Sequence, residues 1–184
     1  MVSWPHESAA RYIDRTLSQI IMRRILLAIA VAYSSRLSAQ GAGRPIKGIT
    51  CDAGEGQRIH IHQHLAIFDH GKAVDIPAFI GIPQMARCIY WLHTHTPDGI
   101  IHIEAPVDRS FTLGDFFAVW GKSISRTEVA GFTPKKGESI HVWVDGKEFK
   151  GDPATIPLKP HTDVAIQVGP PNKKPALFTA WNGL

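Results

Sequence analysis

The chain has 184 residues, of which 44% are hydrophobic and 20% are charged. These proportions are typical of a globular protein and exclude disordered, collagen-like and low-complexity chains. Residues 1–40 hold five of the 20 basic side chains and two of the 16 acidic ones, which leaves 15 basic and 14 acidic side chains in residues 41–184. Because residues 41–184 are nearly neutral, we expect no nucleic-acid partner.

Residues 1–40 have the pattern of an export leader. Met22-Arg23-Arg24 is positively charged, residues 25–33 are apolar, and Leu37-Ser38-Ala39 has the small residues that precede a signal-peptidase cleavage site. The apolar segment is shorter than the roughly 20 residues that cross a bilayer. The polar segment before it is long for a signal peptide, so either translation starts at Met22 or the leader is an uncleaved amphipathic helix. We favour cleavage and expect an exported protein, periplasmic or extracellular, with no stable transmembrane span.

Cys51 and Cys88 are the only cysteines. In an oxidising compartment we expect them to form a disulfide. Under the loop-entropy model, a bond that closes a loop of this length stabilises the fold by about 3 to 4 kcal/mol. The alternative is that one or both thiolates bind a metal ion.

Residues 58–68 alternate between aliphatic and other side chains, as a half-buried β-strand does. The aliphatic face holds Ile59, Ile61, Leu65 and Ile67, and the opposite face holds His60, His62, His64, Ala66 and Phe68. We expect the aliphatic face to enter the core, so that the three imidazoles project together on the other side. A turn at residues 69–72 and a return strand at 73–76 complete a predicted hairpin.

Two further strands are predicted at residues 88–95 and 100–104, joined by the turn Thr96-Pro97-Asp98-Gly99. In the first of these strands, one face holds Ile89, Trp91, His93 and His95.

The orientation of His102 depends on the register of this hairpin. If residues 97–98 form a two-residue loop, His102 lies opposite His93 on one face of the sheet. If the loop has three residues with a bulge at Gly99, which the Pro-Asp-Gly sequence favours, His102 lies opposite Thr94 and points away. The sequence leaves both registers open.

The rest of the chain predicts one short helix and more strands. Residues 112–121 begin with a capping box formed by Thr112 and Asp115 and end at Gly121. Residues 139–149 predict a hairpin that turns at Asp145-Gly146, and residues 163–168 predict a strand. We therefore expect residues 41–184 to form a single, mainly β domain, an antiparallel sandwich or barrel-like sheet with one short helix.

The histidine pattern indicates a metal site. Six of the ten histidines fall in two short stretches: His60, His62, His64, His93, His95 and His102. Neutral imidazole is a common ligand for borderline metals, and all-imidazole ligation without a methionine-rich tract favours Cu(II) or Zn(II). The alternative is a half-exposed polar face without metal, but crowded imidazoles would repel one another whenever two were protonated.

Other polar residues give weaker indications. Glu104 follows His102 by two residues and could be a ligand, a hydrogen-bond partner of a ligand imidazole, or a solvated strand-end side chain. We expect His70, His141 and His161 to be solvated or locally hydrogen-bonded. The sequence contains no motif of a serine hydrolase, phosphate loop, dinucleotide-binding site or zinc-protease helix.

Four sequence blocks resemble those of a family of exported bacterial proteins with His-x-His-x-His and His-x-His motifs, whose activity is uncharacterised. The blocks are HIHQHL from His60, YWLHTH from Tyr90, GIIHIE from Gly99 and TLGDFFAVWG from Thr112. The resemblance covers most of the chain after about residue 49, including both cysteines. It implies location in the bacterial envelope and implies no reaction or substrate.

Three functions are consistent with the sequence. The first is metal capture, delivery or buffering outside the cytoplasm, with the metal ion as the partner. The second is catalysis, in which three ligands hold a metal whose open coordination position activates water or oxygen, with Glu104 or a spare histidine as the acid or base. The third is a structural or partner-binding β domain that holds no metal.

Overall fold

A computed structural model describes residues 43–184. The predicted export signal and the Met22 start lie outside the described residues. The strands are, in chain order, β1 (Cys51–Asp52), β2 (Ile59–Asp69), β3 (Lys72–Val74), β4 (Ile89–Tyr90), β5 (Leu92–His93), β6 (Ile100–Ala105), β7 (Ile140–Val144), β8 (Lys147–Glu148) and β9 (Asp163–Val168). Between β6 and β7 lies the helix α1 (Leu113–Trp120), and a 3₁₀ turn (Pro153–Thr155) precedes β9.

The strands form two sheets. The larger has seven strands in the order β5-β6-β2-β9-β7-β8, with β3 also paired to β2, and the smaller pairs β1 with β4. All pairs are antiparallel except β2 with β9, which is parallel. The domain is mainly β with an open sheet and one helix within residues 43–184, which confirms the predicted fold class.

The aliphatic face of β2 enters the core, as its alternation predicts. Leu65 and Ile67 are each 1% exposed and belong to the same buried cluster as Ile101 and Ile103 of β6. Phe116 of α1 joins this cluster. The opposite face of β2 is therefore left to the histidines.

The helix α1 lies within the predicted range of 112–121. At its start the Thr112 backbone N–H donates to Asp115 Oδ2 at 3.0 Å, and at its end Gly121 adopts a left-handed conformation with φ of 72°. A carboxylate in the first turn and a glycine just after the last turn are the residues expected at the two ends of a helix. No helix within residues 43–184 has both the length and the apolar character needed to cross a membrane.

The strand predicted at 88–95 is interrupted at Trp91. The Trp91 indole is buried, packs edge-on against Phe111, and donates from Nε1 to Asp52 Oδ2 at 2.6 Å. Before this residue the chain pairs with β1, and after it the chain pairs with β6. The break therefore lets one segment of chain contribute to both sheets.

Cys51 and Cys88 form a disulfide with a Cα–Cα distance of 5.3 Å, which confirms the predicted pairing. The bond joins β1 to the segment that leads into β4. Because both sulfurs are bonded to each other, neither is a thiolate ligand for a metal.

Candidate metal centre

Three neighbouring strands place histidines in one row across the sheet. On β6, His102 lies opposite His62 of β2 on one side and opposite His93 of β5 on the other. Directly paired residues project their side chains on the same face. The observed register is the one that places His102 opposite His93, so His102 points toward the other histidines.

The loop between β5 and β6 explains this register. It spans residues 94–99 and is longer than either predicted hairpin loop. Its last residue, Gly99, accepts a backbone hydrogen bond from Leu65 N at 2.9 Å, and a Cβ at Gly99 would lie only 2.3 Å from Leu65 O. The loop is thus held against β2 by a contact that the Pro-Asp-Gly sequence does not encode.

His93 is held with one ring nitrogen available to a ligand. Its side chain is fully buried, and its Nδ1 lies 2.9 Å from the Tyr90 carbonyl oxygen. Since a carbonyl only accepts, Nδ1–H is the donor and the neutral ring has an unprotonated Nε2. That Nε2 lies 3.1 Å from His95 Nε2.

The surroundings of His93 keep its ring neutral. Burial is the largest effect and, despite the opposing effects of Glu104 and the Tyr90 carbonyl, lowers the pKa of His93 to about 4. Burial, followed by repulsion from His102, also lowers the pKa of His62. Neutral imidazole is the form that binds metal ions.

His62 and His102 form a second close pair. His62 Nε2 lies 3.1 Å from His102 Nδ1, and the rings meet edge to face. Two nitrogens bound to one tetrahedral zinc ion at about 2.05 Å would lie about 3.3 Å apart. The nitrogen separations in both histidine pairs are therefore close to those of ligands that share an ion.

Glu104 lies among these rings on β6 and is 2% exposed. Its Oε1 is 3.1 Å from His102 Nδ1 and 3.4 Å from His60 Nε2. Its Oε2 is 3.8 Å from His93 Nε2 and has no hydrogen-bond partner among the described residues. A buried carboxylate oxygen without a partner is unfavourable in the metal-free protein.

The Glu104 carboxylate is ionised in this setting. Burial on its own would raise the pKa of Glu104, but the hydrogen bond with His102 and the nearby His93 and His60 rings together lower it to about 2. The cluster therefore contains an anionic oxygen donor beside the neutral His93 ring.

Two groups of side chains could hold a metal ion. One is His93, His95, His102 and Glu104, and the other is His60, His62 and Glu104. Within each group, one ligand atom from each residue lies within 4.8 Å of the others.

His64 belongs to neither group, although it shares a face of β2 with His60 and His62. Its Nδ1 lies 2.8 Å from Asp163 Oδ1, and its ring stacks on Phe178 at 3.9 Å. The cause is topological, because β2 pairs with β6 up to residue 64 and with β9 from that residue onward. His64 consequently has a carboxylate of β9 as its neighbour.

The remaining described histidines have local partners outside the cluster. His70 contacts Asp69 and Glu138, His141 contacts Ser139 and Glu148, and His161 packs on Trp181. The Asp69 and Glu138 carboxylates raise the pKa of His70.

Sequence reasoning missed Glu55, whose Oε1 lies 3.5 Å from His95 Nε2. Its loop approaches the end of β6 so closely that a Cβ at Gly56 would lie 2.3 Å from the Ala105 carbonyl carbon. The glycines on both sides of Glu55 are the sequence feature that marks this loop, but they do not indicate which strand the loop approaches.

An open cleft of about 510 Å³ lies beside the cluster. Its lining consists of Glu55, His60, His62, His95, His102, Glu104, Gly183 and Leu184. The cleft gives solvent and small ligands access to donor atoms of both groups.

Comparison of the chain with protein-family models, curated proteins and solved structures finds no match.

Proposed function

We propose that this chain is an exported protein that binds Cu(II) or Zn(II) through its histidine cluster and captures, delivers or buffers the metal in the bacterial envelope. The observation that carries the proposal is the arrangement of His93. The Tyr90 carbonyl accepts a hydrogen bond from His93 Nδ1–H, so the unprotonated Nε2 of the same ring faces His95 Nε2 at 3.1 Å. A backbone carbonyl that fixes the tautomer of a ligand imidazole is typical of protein metal sites.

The donor set favours these two metals. Several imidazoles and one carboxylate suit Cu(II) and Zn(II), and the Irving–Williams order lets copper win in direct competition. The side chains of His60 and His95 are 48% and 39% exposed, so an incoming ion can reach these two rings from solvent. Accessible ligands are suited to metal exchange, which capture and delivery require.

Export is part of the same proposal. The leader pattern before residue 41 and the resemblance of the histidine blocks to exported bacterial proteins both support it. The Cys51–Cys88 disulfide is also in keeping with an oxidising compartment. N-terminal sequencing of the secreted protein tests this point, and an intact Met1 would contradict cleavage.

Metal analysis tests the binding proposal. We expect the full chain, reconstituted with Zn²⁺ or Cu²⁺ and freed of excess metal, to retain at least one ion per chain in elemental analysis. His95→Ala should weaken binding at least tenfold, since even residues that only support a ligand contribute about 10- to 100-fold.

His141→Ala is the matched control, because this imidazole also contacts a carboxylate, that of Glu148, but lies outside both groups. The control should bind as the wild type does. Wild-type protein that retains no stoichiometric ion with either metal would refute the proposal.

The open cleft favours a second candidate, a metalloenzyme whose bound ion keeps an exchangeable position. Catalytic metal sites retain such a position, whereas structural sites are closed by protein ligands. Azide titration of the copper-loaded protein distinguishes the two. A saturable charge-transfer band would indicate an open position, and an unchanged spectrum would exclude this candidate.

A further inference from the structure

We propose that the histidine cluster is a dinuclear centre in which the Glu104 carboxylate bridges two divalent first-row metal ions. This inference rests on the proposed function, because it assumes that the cluster binds metal. In this centre each chain holds two ions, each ion has its own set of histidine ligands, and Glu104 binds both ions.

The strand order divides the ligands into two sets. β6 is the central strand of the three, with β2 on one side and β5 on the other. β2 supplies His60 and His62, whereas β5 and the residues after it supply His93 and His95. Glu104 is the member that both groups share.

The two oxygens of Glu104 have different neighbours. Oε1 lies 3.4 Å from His60 Nε2 on the β2 side and 3.1 Å from His102 Nδ1 on β6, whereas Oε2 lies 3.8 Å from His93 Nε2 on the β5 side. A carboxylate that presents one oxygen to each set is arranged as a bridge. Two-metal sites in proteins hold their ions about 3.5 to 4 Å apart, a span that such a bridge covers.

Oε2 provides an independent indication of a missing ligand. It is buried, belongs to a side chain that is 2% exposed, and has no hydrogen-bond partner within residues 43–184. One ion bound only on the β2 side would leave this oxygen without a partner. An ion on the β5 side supplies one.

The number of donors also exceeds what one ion needs. Zinc commonly takes four ligands, whereas the two groups together offer five imidazoles and a carboxylate. The close pair His93 and His95 lies within one group, whereas His62 and His102 lie 3.1 Å apart but belong to different groups, so the two sets adjoin each other. The adjoining cleft allows water to complete each sphere.

Zinc stoichiometry is the first test. We expect calorimetric titration of the metal-free full chain with Zn²⁺, checked by elemental analysis, to give two ions per chain. One ion per chain would overturn the dinuclear centre and leave the proposed function intact. No bound ion would overturn both.

Variants of the two sets test the division of ligands. His60→Ala and His95→Ala should each retain one zinc ion, because each removes a ligand from a different set. Both side chains are partly exposed, so the fold should persist, which circular dichroism checks. A single variant that retains both ions, or that loses both while folded, would overturn the division.

Copper resonance tests the bridge. We expect the protein loaded with two Cu(II) ions to show a half-field electron paramagnetic resonance transition, which requires two nearby spins. Two bound copper ions that give only the full-intensity spectrum of uncoupled Cu(II), without this transition, would overturn the proposal. Glu104→Gln keeps the side-chain size but removes the anion and one oxygen donor, so it should abolish the transition.

Glu148→Gln is the matched control, since Glu148 also contacts a histidine, at 3.2 Å from His141 Nδ1, outside the cluster. It should retain the half-field transition at full intensity. A transition that persists unchanged in Glu104→Gln would refute the bridging role.

Discussion

At the scale of single residues, the Tyr90 carbonyl determines which ring nitrogen of His93 is unprotonated and can bind a metal ion. The carbonyl accepts from Nδ1 at 2.9 Å and thereby directs the unprotonated Nε2 toward His95. Fold stability and metal binding therefore use different nitrogens of the same ring, and substitutions can separate the two roles.

His93→Asn is expected to separate them. An asparagine amide can still donate to the Tyr90 carbonyl, but it has no nitrogen at the Nε2 position. Metal affinity should fall at least tenfold. His93→Ala should lose a similar affinity and also lose the hydrogen bond to the Tyr90 carbonyl, which contributes about 0.5 to 1.5 kcal/mol.

Urea unfolding of the two metal-free variants checks this prediction, together with zinc titration of each. The Asn variant should be the more stable of the two while binding zinc no better than the Ala variant. Equal stabilities would argue against the structural role given to Nδ1.

At the scale of elements, Asp115 joins the start of α1 to a distant lysine. One carboxylate oxygen accepts from Thr112 N at 3.0 Å, and the other lies 2.6 Å from Lys47 Nζ. Burial opposes ionisation, but these partners outweigh it and lower the pKa of Asp115 below its ordinary value. The folded state thus favours the ionised form.

Asp115→Ala should destabilise the protein by about 1 kcal/mol at pH 7, the usual contribution of a helix cap. Because the folded-state pKa is depressed, the charge-dependent contribution is present above about pH 3.9 and is lost as the pH falls through the folded-state pKa. Urea unfolding at pH 7 and near pH 3 measures the change.

The matched control for Asp115 is Asp108→Ala, which removes an exposed ion pair with Arg58. Exposed pairs contribute little, so its effect should stay within about 1 kcal/mol at both pH values. A difference between wild type and Asp115→Ala that grows toward low pH would contradict the assigned sign.

The loop between β5 and β6 sets the position of His102, and its last residue, Gly99, has no room for a side chain. Gly99→Ala adds a side chain at φ of 81° and places a Cβ 2.3 Å from Leu65 O. We expect a loss of about 1 to 3 kcal/mol from strain and displacement of the loop. Zinc affinity should fall as His95 and His102 move.

Gly137→Ala provides the comparison, because its φ of 87° is similar but a Cβ there meets nothing within 4 Å. This control should lose stability through its backbone conformation while keeping its zinc affinity. Thermal melting and zinc titration of both variants check the prediction. If Gly99→Ala and Gly137→Ala bound zinc equally well, the position of the loop would not control the zinc affinity of the cluster.

At the scale of the whole molecule, the disulfide joins the small sheet to the chain that continues into the large one. Replacing both cysteines by serine should reduce stability by about 3 to 4 kcal/mol through the gain in unfolded-state entropy. The cluster lies on the large sheet, whose strand pairs do not include either cysteine.

We therefore expect the serine variant, where folded, to bind the same number of zinc ions as the wild type. Urea unfolding and elemental analysis measure the two effects separately. A folded variant with altered metal content would show that the disulfide positions the ligands.

Much of the fold follows from local patterns. The alternation in residues 58–68 predicts that His60, His62 and His64 share a face, because the pleat of a strand sends alternate side chains to opposite sides. The capping residues of α1 and the turn at 145–146 are likewise local, and each appears at the predicted place.

Membership of the cluster is decided by contacts between distant parts of the chain. His64 leaves the cluster because β2 changes its partner from β6 to β9 at that residue, and Glu55 reaches it from a separate loop. The direction of His102 depends on the Gly99–Leu65 hydrogen bond, which joins the loop before β6 to β2 through their backbones. Sequence alone thus determined which histidines share a strand face, through backbone geometry, whereas the tertiary structure decided which of them meet, because strand pairing over long sequence separations sets their neighbours.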